Sequence, residues 1–318
     1  MSGRIGESEW IWKDGEFIPW GEARVHVLSL AVQFGNSMFE GMRCYDTDAG
    51  PAFFRLDAHL RRLQDSCRVY RMDLPYSNEE LTAACISLVE KNDLGACYVR
   101  PTVARGYGAA GMYPEASPVE TYIAAWPWGT YLGPDALANG VDVCVSTWNR
   151  PAPNTFPAIA KSAGHYNNAQ LIKMDAVVNG YADAIALGPG GLVSEGSGMN
   201  VFLVRDGVLI HPAVDGTWLF GITRDAVLAI AADLGYAVKE MAVPREMLYT
   251  ADEVFLCGTA TEVTPIRSVD KITVGEGRGG PVTMQIQERF LQVAKGEYPD
   301  KHGWLTHVRS GIAAGASP

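Results

Sequence analysis

Short strand-like runs and helix-like segments alternate along the whole chain, and this mixed order restricts the fold more than any other feature of the sequence. Aromatic runs on both sides of Asp14-Gly15 predict a β-hairpin, and residues 96–105 and 121–126 predict buried strands. Asp57 is predicted to cap one helix, and residues 78–91 to form a second. The chain is therefore predicted to be an α+β protein.

The second half repeats this mixture after a stretch rich in glycine, proline and aromatic residues at positions 128–135. Such a stretch is typical of a connection between domains. Strands are predicted there at 141–146, 184–187, 200–204, 208–210 and 253–257, and helices at 166–176, 224–234 and 282–293. We predict a first domain over residues 1–130, a connection over 131–139 and a second domain over 140–318.

Composition excludes several classes of partner. Of the 318 residues, 47% are hydrophobic and 19% charged, which supports a large core. The net charge of −10 argues against nucleic acid or an anionic membrane as partner. Six cysteines without a C-x-x-C pair favour a reduced, cytoplasmic protein without a metal site, and the N-terminus shows no secretion signal.

Lys161 is the main candidate for chemistry, because its neighbours from Thr155 to Ala163 are small or apolar. Desolvation disfavours an ammonium group and so makes the free amine, a nucleophile, more accessible. Such an amine can condense with an aldehyde or a ketone. The ordinary alternative is a surface lysine at the edge of a buried segment.

Three further features would suit a pyridoxal phosphate enzyme, which needs an acid at the pyridine nitrogen and a place for a phosphate. Glu195 lies in a loop rich in glycine and serine. Gly221-Ile222-Thr223 opens a helix, and Gly258-Thr259-Ala260 follows an apolar strand, so both offer free N–H groups. Arg62 could supply a counter-charge. Each feature alone also has an ordinary interpretation, as a solvated turn, a helix cap or a surface arginine.

Taken together, the motifs resemble the branched-chain amino acid aminotransferases, a family of fold-type IV pyridoxal phosphate enzymes. The resemblance covers nearly the whole chain. The matching stretches include Val25-His26-Val27-Leu28-Ser29, Phe39-Glu40-Gly41-Met42-Arg43, Tyr98-Val99-Arg100-Pro101, Trp128-Gly129-Thr130-Tyr131, Val193-Ser194-Glu195-Gly196, Gly221-Ile222-Thr223-Arg224-Asp225 and Gly258-Thr259-Ala260-Thr261-Glu262.

The resemblance implies a role for each matching residue. Lys161 would hold the cofactor and move protons, Glu195 would face the pyridine nitrogen, and Tyr166 would lie near the cofactor's 3′-oxygen. The remaining cofactor residues would be Arg62, Leu219, Ile222, Thr223 and Thr259. The substrate would be bound by Phe39, Tyr98, Arg100, Trp128, Tyr131, Thr259 and Ala260, with Arg100 contacting the distal carboxylate of glutamate.

The resemblance also implies an architecture and an activity. The fold would be a small α/β domain plus a larger pseudo-barrel α/β domain, forming a cytoplasmic homodimer. The activity would be transamination, dependent on pyridoxal 5′-phosphate, between leucine, isoleucine or valine and 2-oxoglutarate. An aromatic pocket with one recessed cation could accept both an apolar and an acidic side chain.

Two departures from the family pattern leave the substrate range open. Gln33-Phe34 stands where the family commonly has His-Tyr, and the loop 104–114 carries an additional arginine, Arg105. An (R)-selective amine or D-amino acid transaminase is therefore a second hypothesis. A lyase of the same fold and a protein without enzymatic activity are weaker ones, and Arg100 could instead pair with a buried acid.

Overall fold

The computed structural model describes residues 6–129 and 132–308, which form strands and helices mixed along the chain. The strands are β1 (Trp10–Lys13), β2 (Glu16–Pro19), β3 (Ser37–Phe39), β4 (Met42–Tyr45), β5 (Ala52–Phe54), β6 (Cys97–Arg105), β7 (Val119–Pro127), β8 (Val141–Val145), β9 (Asp183–Leu187), β10 (Val193–Gly196), β11 (Asn200–Arg205), β12 (Val208–Pro212), β13 (Val238–Met241), β14 (Glu253–Gly258), β15 (Glu262–Val269), β16 (Ile272–Thr273) and β17 (Leu305–His307). The helices are α1 (Leu30–Phe34), α2 (Leu56–Val69), α3 (Asn78–Lys91), α4 (Pro134–Asn139), α5 (Tyr166–Val178), α6 (Ile222–Asp233), α7 (Met247–Thr250) and α8 (Pro281–Ala294).

The strands form two sheets, one for each half of the chain with a single exception. The first sheet has the order β17-β5-β4-β6-β7-β1-β2, and β3 pairs with β6. The exception is β17, which comes from the end of the described chain and pairs with β5. Leu60 and Leu63 of α2 and Leu81 and Leu88 of α3 are fully buried in the core of this sheet, because each helix places its apolar residues on one face.

The second sheet has the order β10-β9-β8-β15-β14-β11-β12-β13, and β16 pairs with β15. Most neighbouring strands are antiparallel, but β8 is parallel to both β9 and β15, and β13 is parallel to β12. Helices α6 and α8 pack together on this sheet around Phe202, Phe255 and Phe290. Another part of the core, around Val143, Leu203 and Leu256, includes residues from β8, β11 and β14.

The predicted α+β class with two parts is confirmed, and so are most of the long elements. The hairpin at Asp14-Gly15 is formed by β1 and β2. Ser77 begins α3 with a capping box, in which its hydroxyl accepts from the N–H of Glu80 and the Glu80 carboxylate accepts from the N–H of Ser77. The residue boundaries of the two domains stay a prediction.

One prediction about a helix start is wrong. Asp57 does not cap α2, because the helix begins one residue earlier, at Leu56, and Asp57 lies in its first turn. The capping position is taken by Arg55, which has a left-handed backbone with φ of +60°. An acidic residue in the first turn still stabilises the helix through its dipole, so the sequence signal was genuine but displaced by two positions.

Candidate active site

Two adjoining clefts contain nearly all of the predicted site residues that the structure describes. The first contains about 610 Å³ of space between atoms, including space open to solvent. All eight predicted cofactor residues line it: Arg62, Lys161, Tyr166, Glu195, Leu219, Ile222, Thr223 and Thr259. They come from α2, from the segment before α5, from β10, from the start of α6 and from the turn after β14, so the fold brings distant segments together here.

Lys161 lies between β8 and α5 and is held from both sides by its backbone. Its N–H donates to the hydroxyl of Ser66 on α2 at 2.9 Å, and its carbonyl accepts from the N–H of Phe39 at 3.1 Å. Its half-buried amine lies 2.5 Å from the hydroxyl of Tyr166 and about 5 Å from the ring centres of Tyr166 and Phe39. The amine is therefore directed into the cleft beside a phenol that can exchange a proton with it.

Glu195 lies on β10, lines the same cleft and is only 4% exposed. Its carboxylate forms an ion pair with Arg150 at 2.8 Å and accepts hydrogen bonds from the N–H of Leu219 at 3.2 Å and, more weakly, from the amide of Asn200 at 3.5 Å. Burial raises the pKa of Glu195, and Arg150 opposes this shift. The carboxylate is thus fixed in a position where a further positive group in the cleft would favour its charged form.

The start of α6 presents free N–H groups to the same cleft. Gly221 is the capping residue and supplies no side-chain hydrogen bond, and the first backbone bond of the helix runs from the N–H of Asp225 to the carbonyl of Gly221. The N–H groups of Ile222 and Thr223 therefore have no acceptor within the helix. A Cβ atom at position 221 would lie 1.9 Å from the Asn200 side chain, so a larger residue would have to displace that side chain. An N-terminus of this kind suits an anion such as a phosphate.

Arg62 extends from α2 towards both clefts, and its positive charge is already paired with the Glu40 carboxylate. Glu40 binds it through two hydrogen bonds, of 2.6 and 2.8 Å, and the carbonyl of Phe220 accepts a third at 2.9 Å. Glu40 is fully buried and also contacts His59 at 2.7 Å. Arg62 overcomes the effect of burial and holds the pKa of Glu40 well below its usual range. Arg62 is thus a fixed donor group rather than a free surface cation.

The second cleft adjoins the first and is lined by the predicted substrate residues Phe39, Tyr98, Arg100, Thr259 and Ala260. Trp128 does not line it directly but packs against the ring of Tyr98, with 5.0 Å between ring centres. Tyr131 lies outside the described residues. Lys161, Tyr166 and Arg62 line both clefts, so a molecule in the second would be in contact with the amine of the first.

Arg100 is the charged group of the aromatic part of this second cleft. Its guanidinium lies 5.1 to 5.7 Å from the ring centres of Phe39, Tyr98 and Trp126. Within residues 6–129 and 132–308, no carboxylate lies within ion-pair distance of it, and its buried Nε has no hydrogen-bond partner. The hypothesis that Arg100 pairs with a buried acid is therefore not supported, because the described ranges contain no such acid beside it.

The two departures from the family pattern lie away from these clefts. Arg105 is buried and donates to the carbonyls of Arg71, Pro114 and Ser117, so it holds a loop and faces no substrate site. Phe34, on α1, is 53% exposed and lines neither cleft of its own chain. Neither residue changes the chemistry of the site within one chain.

Several residues that hold the site together were not predicted as site residues. Arg150 and Glu40 pair with predicted residues, Asn200 bridges Glu195 and the carbonyl of Leu219, and His165 lines the first cleft. Burial and the nearby Arg150 lower the pKa of His165 to about 4. The available signals were weak: Glu40 is an acid between aromatic and small residues, and Arg150 is the charged residue nearest before Lys161.

The comparisons with known proteins agree with this geometry. The model of the family described as amino-transferase class IV matches residues 37–269. The chain belongs to the class IV aminotransferases. A class IV relative, the branched-chain-amino-acid aminotransferase of Escherichia coli strain K12, is 48% identical over 303 residues, covering 95% of this chain and 98% of the relative.

Solved structures of class IV aminotransferases match over almost the same length. The crystal structure of the Escherichia coli branched-chain amino acid aminotransferase superposes with a TM-score of 0.94 at 47% identity, over 95% of this chain and 100% of the other. The branched-chain amino acid aminotransferase from Thermobaculum terrenum, in its PLP-form, gives a TM-score of 0.89 at 35% identity, over 95% of this chain and 99% of the other. The predicted family is therefore confirmed.

Proposed function

We propose that the protein transfers amino groups between the branched-chain L-amino acids leucine, isoleucine and valine and 2-oxoglutarate, with pyridoxal 5′-phosphate as cofactor. The observation that carries the proposal is the arrangement of the first cleft. It combines a directed amine at Lys161, a fixed carboxylate at Glu195 and, at Ile222, a helix start without a side-chain cap. The 48% identity to a branched-chain-amino-acid aminotransferase over 95% of the chain supports the same activity.

These residues fit the cofactor group by group. When bound, pyridoxal phosphate supplies an aldehyde carbon and a ring that withdraws electrons from the substrate's Cα. Lys161 would hold the aldehyde carbon and exchange a proton with the substrate, with the Tyr166 hydroxyl at 2.5 Å as its neighbour. Glu195 would keep the ring nitrogen protonated, and the N–H groups of Ile222 and Thr223, with Thr259 and Arg62, would bind the phosphate.

The residues of the second cleft support a reaction between a branched apolar substrate and an acidic one. Tyr98 and the turn at Thr259 and Ala260 would bind the α-carboxylate that all substrates share. Phe39 and the other aromatic rings offer an apolar surface to a branched side chain, and Arg100 offers a charge to the distal carboxylate of glutamate. Trp128 and Tyr131 would complete the pocket. A single cleft could thus take two side chains of opposite polarity, one after the other.

Assembly and location are part of the proposal. Val25, Val27, Leu28 and Val32 are exposed near α1, and such an apolar surface is typical of a contact between subunits. We therefore propose a cytoplasmic homodimer. The six cysteines are buried and unpaired, which suits a reducing compartment. Within the described residues no helix is both long and apolar enough to span a membrane. Analytical ultracentrifugation would measure the subunit number directly.

A panel of amino donors tests the function. Purified holoenzyme is incubated with 2-oxoglutarate and either leucine, D-alanine or (R)-1-phenylethylamine, and glutamate formation is measured. Turnover with leucine that exceeds the other two by at least about 100-fold is expected, because a wrongly placed Cα substituent misaligns the proton transfer. A preference for D-alanine or for the (R)-amine would instead identify the alternative transaminase.

A further inference from the structure

A buried network of Arg43, Tyr45 and Glu262 joins the two sheets beside the second cleft. The Glu262 carboxylate lies 2.9 Å from Nη1 of Arg43 as an ion pair and accepts a hydrogen bond from the Tyr45 hydroxyl at 3.1 Å. The Arg43 guanidinium also stacks on the Tyr45 ring, 4.8 Å from its centre. All three residues are buried, and no role in the proposed reaction has been assigned to any of them.

The network contacts three separate parts of the proposed substrate site. Arg43 on β4 is the register partner of Tyr98 on β6. Its Nη2 donates to the carbonyl of Gly129, in the segment that follows Trp128. Glu262 is the first residue of β15 and pairs with Gly258, so it closes the turn that carries Thr259 and Ala260.

The backbone of Glu262 adopts a left-handed conformation at the end of this turn. Its φ is +59°, in the left-handed region that a residue with a Cβ atom adopts only when its surroundings hold it there. The surroundings here are the Arg43 ion pair and the Tyr45 hydroxyl. A second bond, from the hydroxyl of Thr264 to the carbonyl of Thr261 at 2.8 Å, holds the same end of the turn.

The two arginines of the first sheet near the cleft, Arg43 and Arg100, differ in whether a carboxylate is paired with them. Arg43 is neutralised by Glu262, whereas no carboxylate of the described ranges is paired with Arg100. We infer that Glu262 is a positioning residue for the α-carboxylate of every substrate: it holds the Thr259–Ala260 turn against Tyr98. This inference rests on the proposed function, since it concerns the same cleft.

The test compares a branched acid with the matching alcohol. Dissociation constants of 4-methylpentanoate and 4-methylpentan-1-ol are measured for the holoenzyme and for Glu262→Gln, which keeps the size of the side chain but removes its charge. The affinity for the acid should fall about tenfold and that for the alcohol change less than about twofold, because only the acid uses the turn. The KM values for leucine and 2-oxoglutarate should rise together, by more than kcat falls.

Two further variants keep the test decisive. Tyr45→Phe removes one hydrogen-bond donor to Glu262 and leaves the ion pair with Arg43. A smaller loss of acid affinity, of about threefold, should therefore appear, and it can be measured even if Glu262→Gln does not fold. Glu253→Gln is the control, because Glu253 is a buried carboxylate on the neighbouring β14 that caps α8 through the N–H groups of Val282 and Thr283 and lines neither cleft. It should bind acid and alcohol as the wild type does.

The outcomes separate this inference from the proposed function. Wild-type affinity for the acid in both Glu262→Gln and Tyr45→Phe would overturn the inference and leave the function intact. Equal losses for acid and alcohol would also overturn it, since they would indicate general damage to the pocket. A wild-type enzyme that neither binds the acid nor transaminates leucine would overturn both.

Discussion

The two clefts differ in how their charges are arranged. In the first, two arginines are paired with carboxylates within the protein: Arg62 with Glu40, and Arg150 with Glu195. In the second, the Arg100 guanidinium lies among aromatic rings, and no carboxylate of the described ranges is within ion-pair distance. The first cleft is therefore prearranged for one permanent anionic ligand, whereas the second contains a cation whose partner arrives with some substrates and not with others.

This difference has a physical reason. Binding of a permanent ligand costs little further free energy at a buried ion pair, because its groups are already oriented and desolvated. A transaminase pocket must in addition accept an apolar side chain in one half-reaction and a carboxylate in the other. A fixed acid beside Arg100 would repel that carboxylate, and the aromatic faces of Phe39 and Tyr98 stabilise the guanidinium without doing so. The following experiments test the distinction between a paired and an unpaired cleft.

The largest effect is expected at Lys161. Lys161→Ala should lower transamination by about a thousandfold or more, because it removes both the covalent attachment and the proton carrier. Borohydride treatment of the wild-type holoenzyme should fix the cofactor to the peptide that contains Lys161. Lys173→Arg is the matched control, since Lys173 lines the second cleft and an arginine can keep its ion pair with Asp183. Full turnover by Lys161→Ala would refute the assignment.

Glu195 should show the next largest effect, and on turnover rather than on binding. Glu195→Gln keeps the shape of the side chain but cannot hold a protonated ring nitrogen, so turnover should fall by about 100-fold to 1,000-fold. Cofactor affinity, measured by absorbance titration, should change much less, because the phosphate site at α6 is untouched. If the variant turned over near the wild-type rate, Glu195 would have only a structural role as the partner of Arg150.

Arg100 distinguishes the second cleft from the first. Arg100→Ala should weaken the half-reaction of glutamate and 2-oxoglutarate by about 2–4 kcal/mol, because the distal carboxylate loses its partner in a desolvated pocket. The leucine half-reaction should change little, since leucine carries no such group. Single-turnover titrations with leucine and with glutamate measure the two separately. Equal losses for both would make Arg100 a scaffold residue.

A smaller effect is expected at His165 when the pH is lowered. Burial and the Arg150 charge lower the pKa of His165 to about 4, so the folded state binds fewer protons here than the unfolded state between that value and pH 6.5. The corresponding stability is present above pH 6.5 and is lost as the pH falls towards 4.

Urea denaturation at pH 7 and pH 4.5 measures this contribution. Between these two values, wild-type unfolding free energy should fall by about 2 kcal/mol more than that of His165→Gln, whose amide does not titrate but reaches the position of Nε2, the atom that contacts Tyr70. Identical losses in the two proteins would show that His165 does not titrate in this range. In that case the pKa of His165 would give no evidence that Arg150 makes the first cleft positive.

The sequence was most informative where one local pattern decides the outcome. The start of α6 could be predicted from Gly221-Ile222-Thr223, and α3 from Ser77 and the acids that follow it, because capping is read from adjacent residues. The helix at Asp57 was displaced because Arg55 adopts a left-handed backbone, which no local rule predicts for arginine. Strands of two or three residues, such as β3 and β16, are too short to show a period.

The candidate site could be predicted only in part for a related reason. Most of the residues assigned from family motifs line the clefts, but their partners are set by tertiary contacts. Glu40 meets Arg62 across 22 residues, and Arg43 meets Glu262 across the two sheets. Such pairs depend on which strands become neighbours, and a single sequence does not contain that information. The loop arginine Arg105 was misleading for the same reason, since its acceptors are backbone carbonyls.

The return of β17 to the first sheet has a consequence for the mechanics of the molecule. The chain passes between the two sheets twice, once near residue 129 and once before Leu305. Trp304 lies in the core of the second sheet while its carbonyl accepts a bond from Arg55 at the edge of the first. The halves are therefore tied at two points, which resists a wide hinge opening and would keep them associated even after a cut in the first connection.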